Sequence, residues 1–339
     1  MGNTTIVDVA KHAGVSKKTV SRVLNAEPNV RPATREKVMQ AIAALDFKRN
    51  PLGLALARKR SYLLALVYDN PSPNFLMHLQ TGIMAACKAR GMGLYLHNCN
   101  YQAPDLVEDI GQMVAGTLVD GLILSSPVCD QQPLIDMLAQ RRIHYVSINP
   151  KDTGHGLAVA VNNRRAAFDL TDHLIGLGHR RIAYVKGHPD LASSAQREAG
   201  FRAAMSKRRL AVDEALVIQG LNNFASGRAA AATLLEQSEP PTAIFAGNDD
   251  MAAGLLYEMH SRNIQVPQEI SLVGFDNTPF SQQVWPRLTT ASQPFDDIGR
   301  TAASLLIDQF SGGDETAGEP TRPVTMDCEL QLRESSAAL

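Results

Sequence analysis

Between Ile6 and Leu24 the apolar residues recur at helical spacing. Val9, Ala10 and Ala13 place small apolar groups on one side of a first helix, and Gly14 supplies the residue able to take positive φ where that helix stops. Ser16 stands as an N-cap before a second helix from Lys17, whose inner face holds Val20, Val23 and Leu24. Lys17, Lys18, Ser21, Arg22 and Asn25 cover the opposite arc, since successive side chains turn by about 100°. Two short helices around a glycine turn predict a helix-turn-helix. Its polar arc fits either a solvated face on a helical hairpin or a helix lying in a major groove, with Lys17, Lys18 and Arg22 at base edges. Pro32 then opens a third helix with the stripe Val38, Ala41, Ile42 and Leu45, closing a small three-helix domain.

Phe47 to Arg60, FKRNPLGLALARKR, is a basic linker with helix-forming content: Asn50 can cap, Pro51 suits a first turn, and Leu52, Leu54, Ala55, Leu56 and Ala57 follow. Nucleating so short a helix is costly, and Gly53 disfavours it by about 1 kcal/mol relative to alanine. The segment is expected to fold only with support. A bare Leu56 beside a DNA reader suggests an apolar wedge for a minor groove.

From Ser61 the pattern changes to strand and helix in alternation. LLALVY (63–68), GLYLHN (93–98) and GLILSS (121–126) are each followed by a helical stripe, and HYVSI (144–148) closes the first run. The rhythm restarts after AVAV (158–161), with RIAYV (181–185), a strand near 216–218, TAIFA (242–246) and ISLVG (270–274) between helices. Strict alternation requires parallel sheets covered on both faces, so two such runs predict two doubly wound lobes. Ligand is expected at the strand C-termini facing the cleft. The predicted division is a helix-turn-helix head at 1–49, a hinge at 50–60 and a core at 61–339. Within the core, one lobe covers about 61–160 plus 292–322 and the other about 161–291 plus 323–339.

Composition sharpens this division. The net charge of −1 hides twelve Lys and Arg against four Asp and Glu in residues 1–60, a head of +8 on a body of −9. A basic head points to a polyanion at that end. Cys87, Cys99, Cys129 and Cys328 lack ligand spacing, so neither a metal site nor a disulfide framework is expected. No secretory pattern opens the chain and the apolar runs are strand-sized, which places the protein in the cytoplasm. GxxxxGK[ST], GxGxxG after a strand, GxSxG and HExxH are all missing. No cofactor is therefore expected, and a binding module is a simpler reading than an enzyme.

With these parts in place the chain resembles the LacI/GalR family of bacterial transcription regulators over essentially its full length. TIVDVAKHAGVSKKTVSRVLN matches the family's N-terminal signature, and LGHRRIAYV, RxxGF at Arg197 to Phe201, PTAIFAGND, VPxxISLVGFDN and RLTTASQP match markers of its body. The resemblance implies a homodimer reading a pseudo-palindromic double-stranded operator, and a periplasmic-binding-protein-like core that binds a small effector, most often a sugar. By that likeness Lys17, Lys18 and Arg22 read bases, while Thr5, Ser16, Thr19, Ser21 and Asn25 serve the helix-turn-helix and the DNA backbone. Leu56 takes the place of the hinge leucine. Leu54 and Gly53 depart from the arginine and alanine usual there.

For the pocket, the resemblance assigns Arg197 and Asp276 to effector hydroxyls, Asn248 to a polar partner, and Phe75, Leu76, Ser125 and Asn149 to the lining. Asn149 replaces an aspartate, and Asn222 stands where many relatives place a stacking Phe or Trp; Phe224 or Trp285 could stack instead, but core packing is the expected role of either. A guanidinium and a carboxylate, both taken to follow strands, suit adjacent hydroxyls, although the same two residues also suit a structural ion pair. The expected function is a repressor of carbohydrate-use genes under sugar control. The alternatives are a purine- or metabolite-responsive regulator of the same build, and a solute-binding protein of a transport system, which the basic head disfavours.

Overall fold

The computed structural model describes residues 4–24, 27–47, 60–70, 72–153, 156–310 and 323–339. Asn25 and the hinge residues Gly53, Leu54 and Leu56 lie outside them. Two compact units emerge, residues 1–61 and 62–339.

The first unit holds α1 (Ile6–Ala13), α2 (Lys17–Leu24) and α3 (Pro32–Ala44). Thr5 opens α1 by a reciprocal arrangement with Asp8, whose carboxylate accepts from the Thr5 backbone N–H at 2.8 Å and from its hydroxyl at 2.7 Å. Gly14 ends the helix at φ 65°, the left-handed conformation its missing Cβ permits. Val9, Ala10, Val20, Val23, Val38 and Ala41 form the buried centre. Ala13, Leu24, Ile42 and Leu45 pack around it, half-buried.

The second unit runs in chain order β1 (Leu63–Tyr68), α4 (Pro73–Ala89), β2 (Gly93–Asn98), α5 (Leu106–Thr117), β3 (Gly121–Ser125), α6 (Gln132–Gln140), β4 (Tyr145–Ile148) and β5 (Leu157–Val161). It continues with α7 (Asn163–Gly176), β6 (Ile182–Lys186), α8 (Ala192–Lys207), β7 (Val217–Gln219), α9 (Phe224–Leu235), β8 (Ala243–Ala246), α10 (Asp249–Ser261) and β9 (Ser271–Val273). The end of the chain adds α11 (Phe280–Gln283), β10 (Thr290–Ser292), α12 (Phe295–Gln309), β11 (Val324–Met326) and β12 (Glu329–Gln331).

The first lobe is a parallel sheet in the order β11-β5-β4-β3-β1-β2, and the second a parallel sheet in the order β7-β6-β8-β9. β1 shows why its sequence is apolar throughout: Leu64 and Leu66 enter the cluster under α4 and α12, while Ala65 and Val67 enter the one under α5 and α6. The second sheet is likewise covered by α9 and α10 on one face and α7 and α8 on the other. Gly200 lets α8 lie close on α7, since a Cβ there would fall 2.2 Å from the Arg164 carbonyl oxygen.

Two expectations need correction. β11 pairs in parallel with β5 through Val324↔Val159, so residues 324–326 belong to the first-lobe sheet and not to the second lobe. Only β12 returns to the second lobe, antiparallel to β10. Three-residue strands show too little periodicity to place in sequence. Phe224 and Trp285, expected in the core, are 41% and 74% exposed. All four cysteines are free. No helix among the described residues is long and apolar enough to cross a membrane.

Candidate functional site

In the first unit the polar arc of α2 faces outward. Lys17, Lys18 and Arg22 are exposed, Thr19 and Ser21 are half-buried at the edges of the arc, and Val20 and Val23 are buried beneath it. Ser16 caps the helix: its hydroxyl oxygen accepts from the Thr19 backbone N–H at 3.1 Å and lies 2.9 Å from the Thr19 hydroxyl. Arg22 Nε stands 3.5 Å from the Glu27 carboxylate, with both side chains nearly half exposed. Such a pair contributes little and leaves the guanidinium available to a stronger partner.

In the second unit the two lobes meet over a narrow cavity of about 40 Å³ at the C-terminal ends of their strands. In both sheets the strand order reverses, at β1/β3 and at β6/β8, where loops diverge to opposite faces and leave a crevice. Of the residues expected there, Phe75, Asn149, Arg197, Asn222, Asn248 and Asp276 do line it. Leu76 and Ser125 do not. Leu76 sits about 100° around α4 from Phe75, which turns it off the cavity wall. Ser125 ends β3 with its hydroxyl buried and unpartnered, and the pleat hands the cavity position to Ser126. Also lining the cavity, and not foreseen, are Asn70, Ser72, Ile148, Leu191, Ser193 and Gln293.

Arg197 lies within α8 rather than after a strand. All three of its nitrogens are engaged: Nε donates to Asn163 Oδ1 at 2.9 Å, Nη1 to the Gly247 carbonyl at 2.6 Å, and Nη2 stands 3.2 Å from Asp276 Oδ1. Its Cζ lies 3.7 Å from the centre of the Phe275 ring. Arg197 and Asp276 are each 8% exposed as side chains, a buried pair whose attraction opposes its desolvation without outweighing it. Burial pushes the Asp276 carboxyl up, opposed by the Arg197 charge and by a hydrogen bond from Gln293.

The backbone at the site is unusual. Asn149, Asn222 and Asp276 have φ of 51°, 57° and 111°, a region that short polar residues tolerate and bulky ones avoid. A left-handed backbone at 222 suits the asparagine found there. Four asparagines also spend their side-chain oxygens on backbone N–H groups: Asn70 on Ser72, Asn149 on Val161, Asn222 on His188 and Asn248 on Met251. Those bonds fix each amide with its NH₂ as the donor end, which in Asn248 is spent on the Asn222 carbonyl and the Asp250 carboxylate.

Hydrogen bonds across the cleft join the lobes. Tyr101 and Gln102 Nε2 both donate to Asp190, at 2.5 and 3.4 Å, and Ser72 Oγ donates to Asp250 Oδ2 at 3.2 Å. Burial, reinforced by Asp276, pushes the Asp250 carboxyl up to about 6 from an ordinary 3.8. Between those values the folded core holds a proton that the unfolded chain has lost, so this group's contribution to stability falls as pH rises, by on the order of 2 kcal/mol across the window. Denaturation of the chain and of Asp250→Asn from about pH 4 to about pH 7 checks this. The wild-type advantage should shrink up to about pH 6 and then level, whereas a constant difference would place the titration elsewhere.

Comparison with known proteins agrees with both halves. Residues 5–50 match the model of the bacterial regulatory proteins, lacI family, and residues 171–336 that of a periplasmic binding protein-like domain. Catabolite control protein A of Priestia megaterium is 33% identical over 305 residues, covering 90% of this chain and 92% of that protein. The structure of the lac repressor dimer bound to operator and the anti-inducer ONPF superposes with a TM-score of 0.82 at 26% identity, covering 99% of this chain and all of the other. That of the transcriptional regulator CelR in complex with cellobiose gives 0.74 at 30% identity, covering 98% of this chain and all of that one. With the helix-turn-helix, the two parallel-sheet lobes and these matches together, the chain belongs to the lacI family of bacterial transcription regulators.

Proposed function

We propose that this regulator binds a pseudo-palindromic operator as a homodimer and that a small neutral sugar in the cleft changes its affinity for that operator. The observation that carries the effector half is the buried Arg197–Asp276 pair at the strand ends. It brings two opposite charges that cancel, ringed by amides and hydroxyls, which suits an uncharged polyhydroxylated molecule better than an anion. On the DNA side Lys17, Lys18 and Arg22 read bases, with Thr5, Ser16, Thr19 and Ser21 at or near phosphates, and Leu56 wedges in the minor groove. Control of carbohydrate-use genes by repression is the physiological role this arrangement supports best.

Selection of binding sites from random DNA tests the reading face. Arg22 can exchange Glu27 for the paired acceptors of a guanine, worth about 1–3 kcal/mol of discrimination. Arg22→Ala should therefore return a consensus relaxed at one position per half-site. An unchanged consensus would remove Arg22 from base reading.

A further inference from the structure

A second cavity, of about 340 Å³, lies outside the cleft, lined by Asn162, Arg164, Arg165 and Phe168 at the start of α7 and by Ala203 of α8. Its size falls at the lower end of the roughly 300–1,000 Å³ typical of small-molecule sites. The Asn162 amide is already spent: its oxygen accepts from the Arg165 backbone N–H at 3.3 Å, and Nδ2 donates to Asp327 Oδ1 at 3.0 Å. The guanidinium groups are the side-chain donors that remain. Arg164 is exposed and pairs with no described residue. Arg165 gives only Nε to the Asp169 carboxylate, at 2.8 and 3.0 Å, and its side chain is 70% exposed. Water screens that pair, and both Nη groups stay available. Lys207 adds a third cation, 5.0 Å from the centre of the Phe168 ring and in no ion pair with a described residue. Against these three stand the carboxylates of Asp169 and Asp327, so the surplus is positive.

The lining thus joins cationic donors to an apolar patch, the half-buried Phe168 ring and the Ala203 methyl, with no carboxylate among its side chains. A phosphate monoester presents acceptors and negative charge, and takes a guanidinium fork in two parallel bonds. Phosphate alone leaves the apolar patch in water, whereas a flat ring covers it. We propose that this cavity binds a nucleoside monophosphate, with the phosphate on Arg164 and Arg165 and the base against Phe168, as a second effector separate from the occupant of the cleft. Its place in the chain gives such a ligand a hold on the lobes. Asn162 is the crossover from β5 of the first sheet to α7 over the second, and its backbone N–H donates to the Met326 carbonyl of β11 at 2.8 Å. Asp327, which receives Asn162 Nδ2, lies on the other crossover, between β11 and β12. A ligand fastened to the two arginines beside these crossovers biases whichever setting of the lobes it fits better, and operator affinity is expected to change with it.

Calorimetric titration of the full chain with AMP, UMP, adenosine, ribose 5-phosphate and inorganic phosphate tests the assignment. AMP or UMP should bind about tenfold or more tightly than adenosine, ribose 5-phosphate or phosphate, because only a nucleotide engages both the cations and the ring. Arg164→Gln should weaken the nucleotide about tenfold and Phe168→Leu about fivefold, while Asp276→Ala leaves it within about twofold. Arg164 is exposed and unpaired, so its variant carries the test even if the Phe168 variant folds poorly. At fixed salt, saturating nucleotide should change operator affinity about fivefold or more in the wild type and leave Arg164→Gln unaltered. Equal affinity for inorganic phosphate or ribose 5-phosphate would reduce the cavity to an anion-attracting surface and overturn the ligand class. Binding lost in Asp276→Ala and kept in Arg164→Gln would put the nucleotide in the cleft instead. No binding by either nucleotide would overturn the site, and binding with no change in operator affinity would overturn its role as an effector site.

Discussion

Arg197→Met is expected to abolish the response to effector and to destabilise the core by about 3–5 kcal/mol. The guanidinium reaches Asn163, Gly247 and Asp276 from one side chain, so its loss strands a buried carboxylate and two buried oxygens at once. Chemical denaturation of the core and a ligand thermal shift read the two effects separately. The double variant Arg197→Met with Asp276→Leu should regain most of the stability, because an apolar pair carries no desolvation cost, and none of the response. Recovery of the response along with the stability would show that the pair serves the fold and not the ligand.

Val38→Asp is expected to eliminate DNA binding while leaving effector affinity unchanged. Val38 is fully buried in a centre of six small apolar residues, and a head of roughly 45 residues has little stability to lose. An unpaired carboxylate there costs several kcal/mol, more than so small a core supplies. Because the head and the core are separate compact units, the core should keep its own unfolding transition. Electrophoretic mobility on operator DNA and calorimetric unfolding check both halves. Loss of effector binding in this variant would mean the units do not fold independently.

The helix-turn-helix was legible because it is local: Gly14, Ser16 and the valine stripe act within a few residues of one another. The alternation of strands and helices was legible for a similar reason, each strand being an apolar run bounded by turns. Other features depend on contacts distant in sequence. The place of β11 follows from its pairing with β5, more than 150 residues away, and its own three residues carry no signal for that partner. Ser125 and Ser126 differ only in which side of the sheet they face, a register that sequence leaves open when both residues are the same. Gln293 sits inside the RLTTASQP stretch, but its hydrogen bond to Asp276 appears only when β10 sets the two side by side. The asparagines were visible as polar residues near strand ends, but which end of each amide faces the cavity is decided by backbone N–H groups that only the fold brings there.

The central claim is that a molecule in the cleft controls the hold of the head on DNA. The direct measurement is the operator affinity of the full chain, at fixed salt, with and without saturating amounts of the sugar that stabilises the core. A coupling of about 1–3 kcal/mol predicts a 5- to 150-fold change for the wild type and none for Asp276→Ala at the same sugar concentration. An operator affinity unaltered by a sugar that demonstrably fills the cleft would contradict the account.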